Sequence, residues 1–173
     1  MLNLDPAKCS GCRRCEVHCS FFHSGKVGRS AGRIKVVKIE DRGLDYPVVC
    51  QGCRERYCAE CPEDALQIGS LGGVHVDPEL CTGCGTCETL CPVGAIEVLE
   101  ECAVVCDLCG GDPRCVRACT MGALTFEPGE RDVVSLSAFH DGSEGLSPEE
   151  KRVRFALRSF ENLRKSWLSA RGA

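Results

Sequence analysis

Aromatic residues are scarce in this 173-residue chain, at 5% of positions, with one tryptophan and two tyrosines. The length suits one domain of ordinary size, but so few large rings leave the organic core thin. Long hydrophobic runs are missing too, and no apolar stretch approaches the length of a membrane span. The residues ahead of Cys9, MLNLDPAK, lack the apolar segment that opens an export signal. Arg13-Arg14 is no export signal either, because it sits inside a cysteine motif. The expected location is the cytoplasm. No hydrolytic triad, phosphate loop or nicotinamide fingerprint is present. The four histidines, His18, His23, His75 and His140, are scattered and form no zinc or catalytic motif. No substrate-binding chemistry is legible, so any catalysis is expected on another chain.

Charge is balanced overall but unevenly spread. The tail from Pro148 has seven basic residues against Glu149, Glu150 and Glu161, a net +4; with −4 for the whole, the body is −8. An acidic body argues against nucleic acid as a partner. The basic tail suits an acidic protein surface, that of a partner or of the body itself.

What the chain has is cysteine. Sixteen of its 17 cysteines fall into four groups of four. Cys9, Cys12, Cys15 and Cys19 follow C-x2-C-x2-C-x3-C, as do Cys81, Cys84, Cys87 and Cys91, the latter with a trailing proline. The remaining groups are Cys50, Cys53, Cys58, Cys61 and Cys106, Cys109, Cys115, Cys119. Thiolates are soft ligands suited to iron–sulfur clusters. A tight CxxCxxC loop lets three sulfurs converge on one cubane, while the fourth cysteine reaches another cluster. Structural zinc prefers four ligands, often two separated CxxC pairs, and fits these runs less well. Disulfides belong to short secreted chains. The expectation is four 4Fe–4S clusters that replace the missing core, and an apo chain that folds poorly. Such clusters also point to an anaerobic setting. Complete cysteine ligation leaves no open iron for a substrate.

Cys102 is the odd cysteine. A buried free thiol is the favoured reading, over replacement of Cys106 as a ligand. His18, inside the first motif, is read as a spacer residue rather than a group that tunes a cluster. Arg13, Arg14, Arg54, Arg56, Arg114 and Arg117 sit among the ligands, either to favour reduction or to pair with the body's acids; the sequence leaves this open.

Repeats follow the motifs. PEDALQI after Cys61, PVGAIEV after Cys91 and TMGALTF after Cys119 each carry an alternating apolar pair, the mark of a short strand with one face inward. Gly73–Asp77 and Ile34–Ile39 read as further strands, and Gly69, Gly72 and Gly73 as a hairpin turn. Residues 50–98 look like a complete two-cluster ferredoxin, flanked by the first and fourth motifs.

This pattern resembles the four-cluster electron-transfer subunits of molybdenum and tungsten oxidoreductases, over roughly residues 1–127. The fourth motif, VVCDLCGGDPRCVRACTMGAL, is most like the small iron–sulfur subunit of tungsten-dependent aldehyde oxidoreductases; subunits of formate and carbon monoxide dehydrogenases are similar. The resemblance implies an α+β fold of nested ferredoxin-like modules, outer at 1–49 and 99–127, inner at 50–98. It also implies crossed ligation. Cluster 1 would take Cys9, Cys12, Cys15 and Cys119, and cluster 2 Cys50, Cys53, Cys58 and Cys91. Cluster 3 would take Cys81, Cys84, Cys87 and Cys61, and cluster 4 Cys106, Cys109, Cys115 and Cys19. Implied partners are a catalytic molybdenum or tungsten subunit and, as acceptor, a flavin subunit or a soluble ferredoxin. A free-standing polyferredoxin, or the cluster subunit of a formate or carbon monoxide dehydrogenase or hydrogenase, is the alternative. The chain departs from the family where Cys58 and Cys61 are spaced x2, not x3, making Cys61 the least secure ligand. Thr120 and Ser20 also stand where proline is usual.

The remainder differs in kind. Residues 128–147 read as a linker rich in Ser, Gly and Asp, and 148–173 as an amphipathic helix. Ser147, Pro148 and Glu150 form its capping signal. Val153, Ala156, Leu157, Phe160, Leu163 and Trp167 recur at helical spacing. Five of these, Val153, Leu157, Phe160, Leu163 and Trp167, are the candidate interface residues, expected to dock on another subunit or on a second copy in a chain or filament; packing of the stripe on the protein's own body is the alternative that the sequence leaves open.

Overall fold

The computed structural model describes residues 2–128 and 133–171, with side chains up to Lys165. Four two-stranded antiparallel ribbons form its β structure. Strand β1 (Leu2–Leu4) pairs with β8 (Leu124–Phe126), so the first motif and the last lie side by side. Strands β2 (Lys35–Ile39) and β3 (Leu44–Val48) form a hairpin, as do β4 (Leu66–Ile68) with β5 (Val74–Val76) and β6 (Glu97–Leu99) with β7 (Cys102–Val104). Three motifs lead into helices, α1 (Arg14–Ser24), α2 (Thr86–Leu90) and α3 (Arg114–Ala118), and α1 packs on α3.

The alternating pairs form strands because one face meets a core and the other meets water. Two cores result. One gathers Leu44, Tyr46, Val48, Val74, Val93 and Ile96 around Cys87 and Cys91. The other joins Leu2, Ile34, Val36, Val49, Leu108 and Leu124 to Cys15, Cys19, Cys106 and Cys115. Cys50 touches both. Strands β1, β3 and β7 were not foreseen, since three to five residues interrupted by polar, proline or cysteine positions carry little periodicity.

The segment read as a linker does more than connect. Within it, α4 (Ser137–His140) forms, Leu136 is buried, and the backbone N–H of Arg54 donates to the Val134 carbonyl at 3.0 Å. Glu55 accepts from the Leu136 N–H at 3.0 Å and from the Ser135 hydroxyl. The rings of Tyr57 and His140 stack at 4.3 Å. A few apolar residues among many small polar ones gave too weak a pattern to reveal this.

The tail is helix α5 (Pro148–Arg171), opened by the expected capping box: the Ser147 N–H donates to Glu150 Oε2 at 2.8 Å and the Glu150 N–H to Ser147 Oγ at 3.3 Å. Of the placements open to the stripe, the start of the helix takes the protein's own body. Phe155 and Ala156 are 6% and 0% exposed in the protein's own core, and Val153 and Phe160 pack against it. The ring of Phe155 meets Tyr46 and Phe139 edge-on at 5.9 and 5.0 Å. Leu157 and Leu163 are half-buried, and the side chain of Trp167 lies outside the described residues. Gly94 permits the close approach: a Cβ there would collide with the Pro148 carbonyl, and its φ of +62° disfavours any side chain.

Two tail cations also turn inward. Lys151, 1% exposed, donates from Nζ to the Glu88 and Thr89 carbonyls at 3.1 and 2.6 Å, near the C-terminal end of α2 where a cation belongs. Arg152 binds the Gly94 carbonyl at 2.9 Å and Glu97 at 2.8 Å. Part of the tail's charge thus meets the acidic body of the same chain. No helix among the described residues is long and apolar enough to cross a membrane.

Candidate metal centres

Each cysteine loop winds through left-handed backbone. Gly11 and Arg13 have φ of +63° and +59° between the first three cysteines, and Gly83 and Gly85 have +67° and +77° in the third motif. Alternating hands turn successive N–H groups toward one point, a concavity that suits an anion. Arg13 does this without glycine's freedom, and its loop is held by the helix that follows.

The fold brings many of the thiols near one another. Cys9, Cys12, Cys15 and Cys119 line one pocket with Met121 and Ala123. Cys61, Cys81, Cys84 and Cys87 line another, so the shortened spacing still brings Cys61 to the third motif. Cys106 lies within electrostatic reach of Cys115 and Cys19, and Cys115 of Cys19 and Cys109. Cys50 senses Cys91 and Cys58, and Cys58 senses Cys53. Cys115 also senses Cys15, and Cys50 also senses Cys106. Cys12 and Cys84 are exposed, whereas Cys15, Cys19, Cys87, Cys91, Cys106 and Cys115 are buried.

Burial governs their chemistry. Desolvation pushes Cys15 up to about 12 and Cys58 and Cys87 up to about 11, with neighbouring thiols adding repulsion. Cys50, Cys106 and Cys115 are pushed higher still by the same causes. Several thiolates crowded into so dry a space require cations among them, and a thiol bound to metal is deprotonated. The donor set fits iron–sulfur centres. Backbone amides complete it: Arg33 N–H donates to Cys19 Sγ at 3.2 Å, Ala95 to Cys91 at 3.3 Å, and Ala103 to Cys81 at 3.4 Å.

Orphaned polar atoms give a second test. Among the described residues, three buried side-chain atoms have no hydrogen-bond partner: Arg33 Nε, Arg114 Nε and Glu16 Oε2. Both arginines stabilise negative charge on Cys109. Two unpaired cationic donors beside a thiol are what an anionic centre would satisfy.

Other residues fall where the sequence did not point. His18 is exposed, while His23 lies 3.5 Å from Cys109 Sγ through Nε2 and 3.5 Å from Asp107. His23 and Cys109 are 86 positions apart, so no local pattern could join them. Glu16 is 2% exposed and accepts the Val36 N–H at 2.6 Å, tying α1 to β2. Cys102 stands beside Cys81, half-buried.

The chain is similar to several known proteins. The family described as 4Fe–4S binding domain matches residues 74–97. The polyferredoxin-like subunit of aliphatic sulfonate oxidoreductase from Pyrococcus furiosus is 42% identical over 120 residues, 67% of this chain and 69% of that protein. The electron transport protein HydN of Escherichia coli is 33% identical over 148 residues, covering 69% and 83%. A solved chain of the active site complex BamBC of benzoyl coenzyme A reductase with benzoyl-CoA aligns at 32% identity and a TM-score of 0.45, over 72% of this chain and 76% of that one.

Proposed function

Because this chain belongs to the 4Fe–4S ferredoxin-like electron-transport proteins, we propose that it is the wire subunit of a larger oxidoreductase, carrying four 4Fe–4S clusters in two nested ferredoxin-like modules. Cys9, Cys12, Cys15 and Cys119 hold cluster 1, and Cys50, Cys53, Cys58 and Cys91 hold cluster 2. Cys81, Cys84, Cys87 and Cys61 hold cluster 3, and Cys106, Cys109, Cys115 and Cys19 hold cluster 4. The clusters supply one-electron carriers. The chain sets their order, shields the middle of the row, and exposes its two ends.

One observation carries the reading: Cys115 lies within electrostatic reach of Cys15, and Cys50 of Cys106, which supports the order 1, 4, 2, 3 if clusters 2 and 3 adjoin as the inner module of the proposal. The exposed thiols, Cys12 and Cys84, belong to the two terminal sets. Electrons come in at one end and leave at the other. The partner is a catalytic subunit with molybdenum or tungsten, and a two-electron oxidation there is passed on singly to a flavin subunit or soluble ferredoxin. The family resemblance of the fourth motif supports this choice, as does the relative that is a subunit of an oxidoreductase. Anaerobic purification tests both parts. The wire should hold about sixteen iron and sixteen sulfide, as four cubanes imply, and should co-purify with a large molybdenum- or tungsten-containing chain. Abundant zinc with little iron would overturn the cluster reading. Four clusters on a chain that purifies alone would mean a free-standing polyferredoxin.

A further inference from the structure

We propose that Arg33, Arg114 and His23 make cluster 4 the electron sink of the wire, with a reduction potential above that of its neighbour, cluster 1. This rests on the ligand sets proposed above. Cys19 and Cys109 are set apart by what surrounds them. The Arg33 N–H donates to Cys19 Sγ at 3.2 Å, and His23 Nε2 lies 3.5 Å from Cys109 Sγ. The guanidinium Nε atoms of Arg33 and Arg114 are both buried without a partner. Two carboxylates lie nearby, each already engaged. Asp107 binds Arg33 at 2.7 Å and the Cys109 N–H at 2.9 Å, and Asp112 binds Arg114 at 3.1 Å and Arg117 at 2.9 Å. Three guanidiniums thus face two carboxylates. Around cluster 1 no cation is in excess: Asp45 meets Lys38 at 3.4 Å and Glu16 meets Arg13 at 3.7 Å, one carboxylate to each cation.

The physical consequence has a definite sign. Reduction adds one negative charge to a cluster. Donors and cations in a dry setting stabilise that charge, and nearby carboxylates oppose it. An electron reaching cluster 1 therefore falls to cluster 4, an interior position in the order 1, 4, 2, 3. It rests there, away from solvent at the exposed Cys12, while a two-electron donor releases its second electron.

The test is an anaerobic redox titration of the cluster-loaded full chain, followed by EPR, with total iron measured alongside. His23→Leu and Arg33→Met should each lower the potential of one cluster and leave three unchanged. At a fixed ambient potential, the reduced-to-oxidised ratio should fall about tenfold, a shift of ~59 mV for a one-electron couple. His23→Gln keeps a side-chain N–H and should recover most of the loss, which a merely structural role would not predict. Cys109→Ala identifies the cluster by disturbing the same signal. If Cys109→Ala leaves iron and every signal unchanged, the ligand sets are wrong. If it removes that signal while His23→Leu leaves all four potentials unshifted at full iron content, the sink is wrong and the ligand sets stand. Should Arg33→Met lose iron, the Leu and Gln variants at position 23 still decide the matter.

Discussion

Single residues in this protein act through the company that burial forces on them. Lys151 shows it most clearly. A lysine on an amphipathic helix is ordinarily a solvated end, but this one is 1% exposed and donates to two carbonyls of another helix. Burial lowers its affinity for a proton, and the bonds and nearby negative groups hold the charge in place. Replacing it by methionine orphans the Glu88 and Thr89 carbonyls at a cost of about 1–3 kcal/mol. Lys151→Met should therefore lower the melting temperature of the cluster-loaded protein, whereas exposed Lys165→Ala should leave it nearly unchanged. Cys102 illustrates the converse. It touches Cys81, but that set already has four thiols, so Cys102→Ala should keep all the iron. Cys61→Ala should disturb one inner cluster and produce a three-iron EPR signal. The opposite pair of results would reassign the ligands.

At the scale of elements, α5 decides most. Its first three turns contribute Phe155 and Ala156 to the core against β2 and β3. Truncating a buried ring costs about 3–5 kcal/mol, so Phe155→Ala should be strongly destabilising in anaerobic thermal unfolding. Deleting residues 148–173 should have a larger effect of the same kind. The docking role expected of the stripe then moves outward, beyond the part that the body uses. A shorter deletion, of 166–173, separates the two roles. It should leave iron content and melting temperature intact while weakening complex formation in size-exclusion with light scattering. Unchanged assembly after that deletion would show that the helix serves only its own chain.

Across the whole molecule, the two cores depend unequally on cysteine. Four of the ten buried residues in the core around α1 and α3 are cysteines, against two of fourteen in the core that α5 covers. Thiols so raised by burial and mutual repulsion cannot stay together as anions once iron is gone. Anaerobic chelation should therefore unfold the molecule in two stages. Hydrogen exchange should lose protection first in α1, α3 and the β1–β8 ribbon. The β2–β3 hairpin and the start of α5, built from side chains that need no metal, should hold out longer. Simultaneous loss everywhere would mean that the cores form one cooperative unit.

The sequence by itself determined the metal chemistry of the loops, the strands after three motifs, the hairpin turn and the capping box of α5. These are local signals: ligand spacing, alternation and caps act within a few residues, where chain connectivity fixes the geometry. Only the tertiary structure decided which thiols adjoin, that β1 closes on β8, that the supposed linker packs, and that α5 begins in its own core. It alone placed His23 beside Cys109 and left Arg33 and Arg114 with unpaired buried donors. Such pairings join residues tens of positions apart, and their sign depends on burial. A basic residue reads the same in sequence whether water or a neighbouring carbonyl receives its charge. Burial, which the sequence does not print, makes the difference between Lys151 and Lys165.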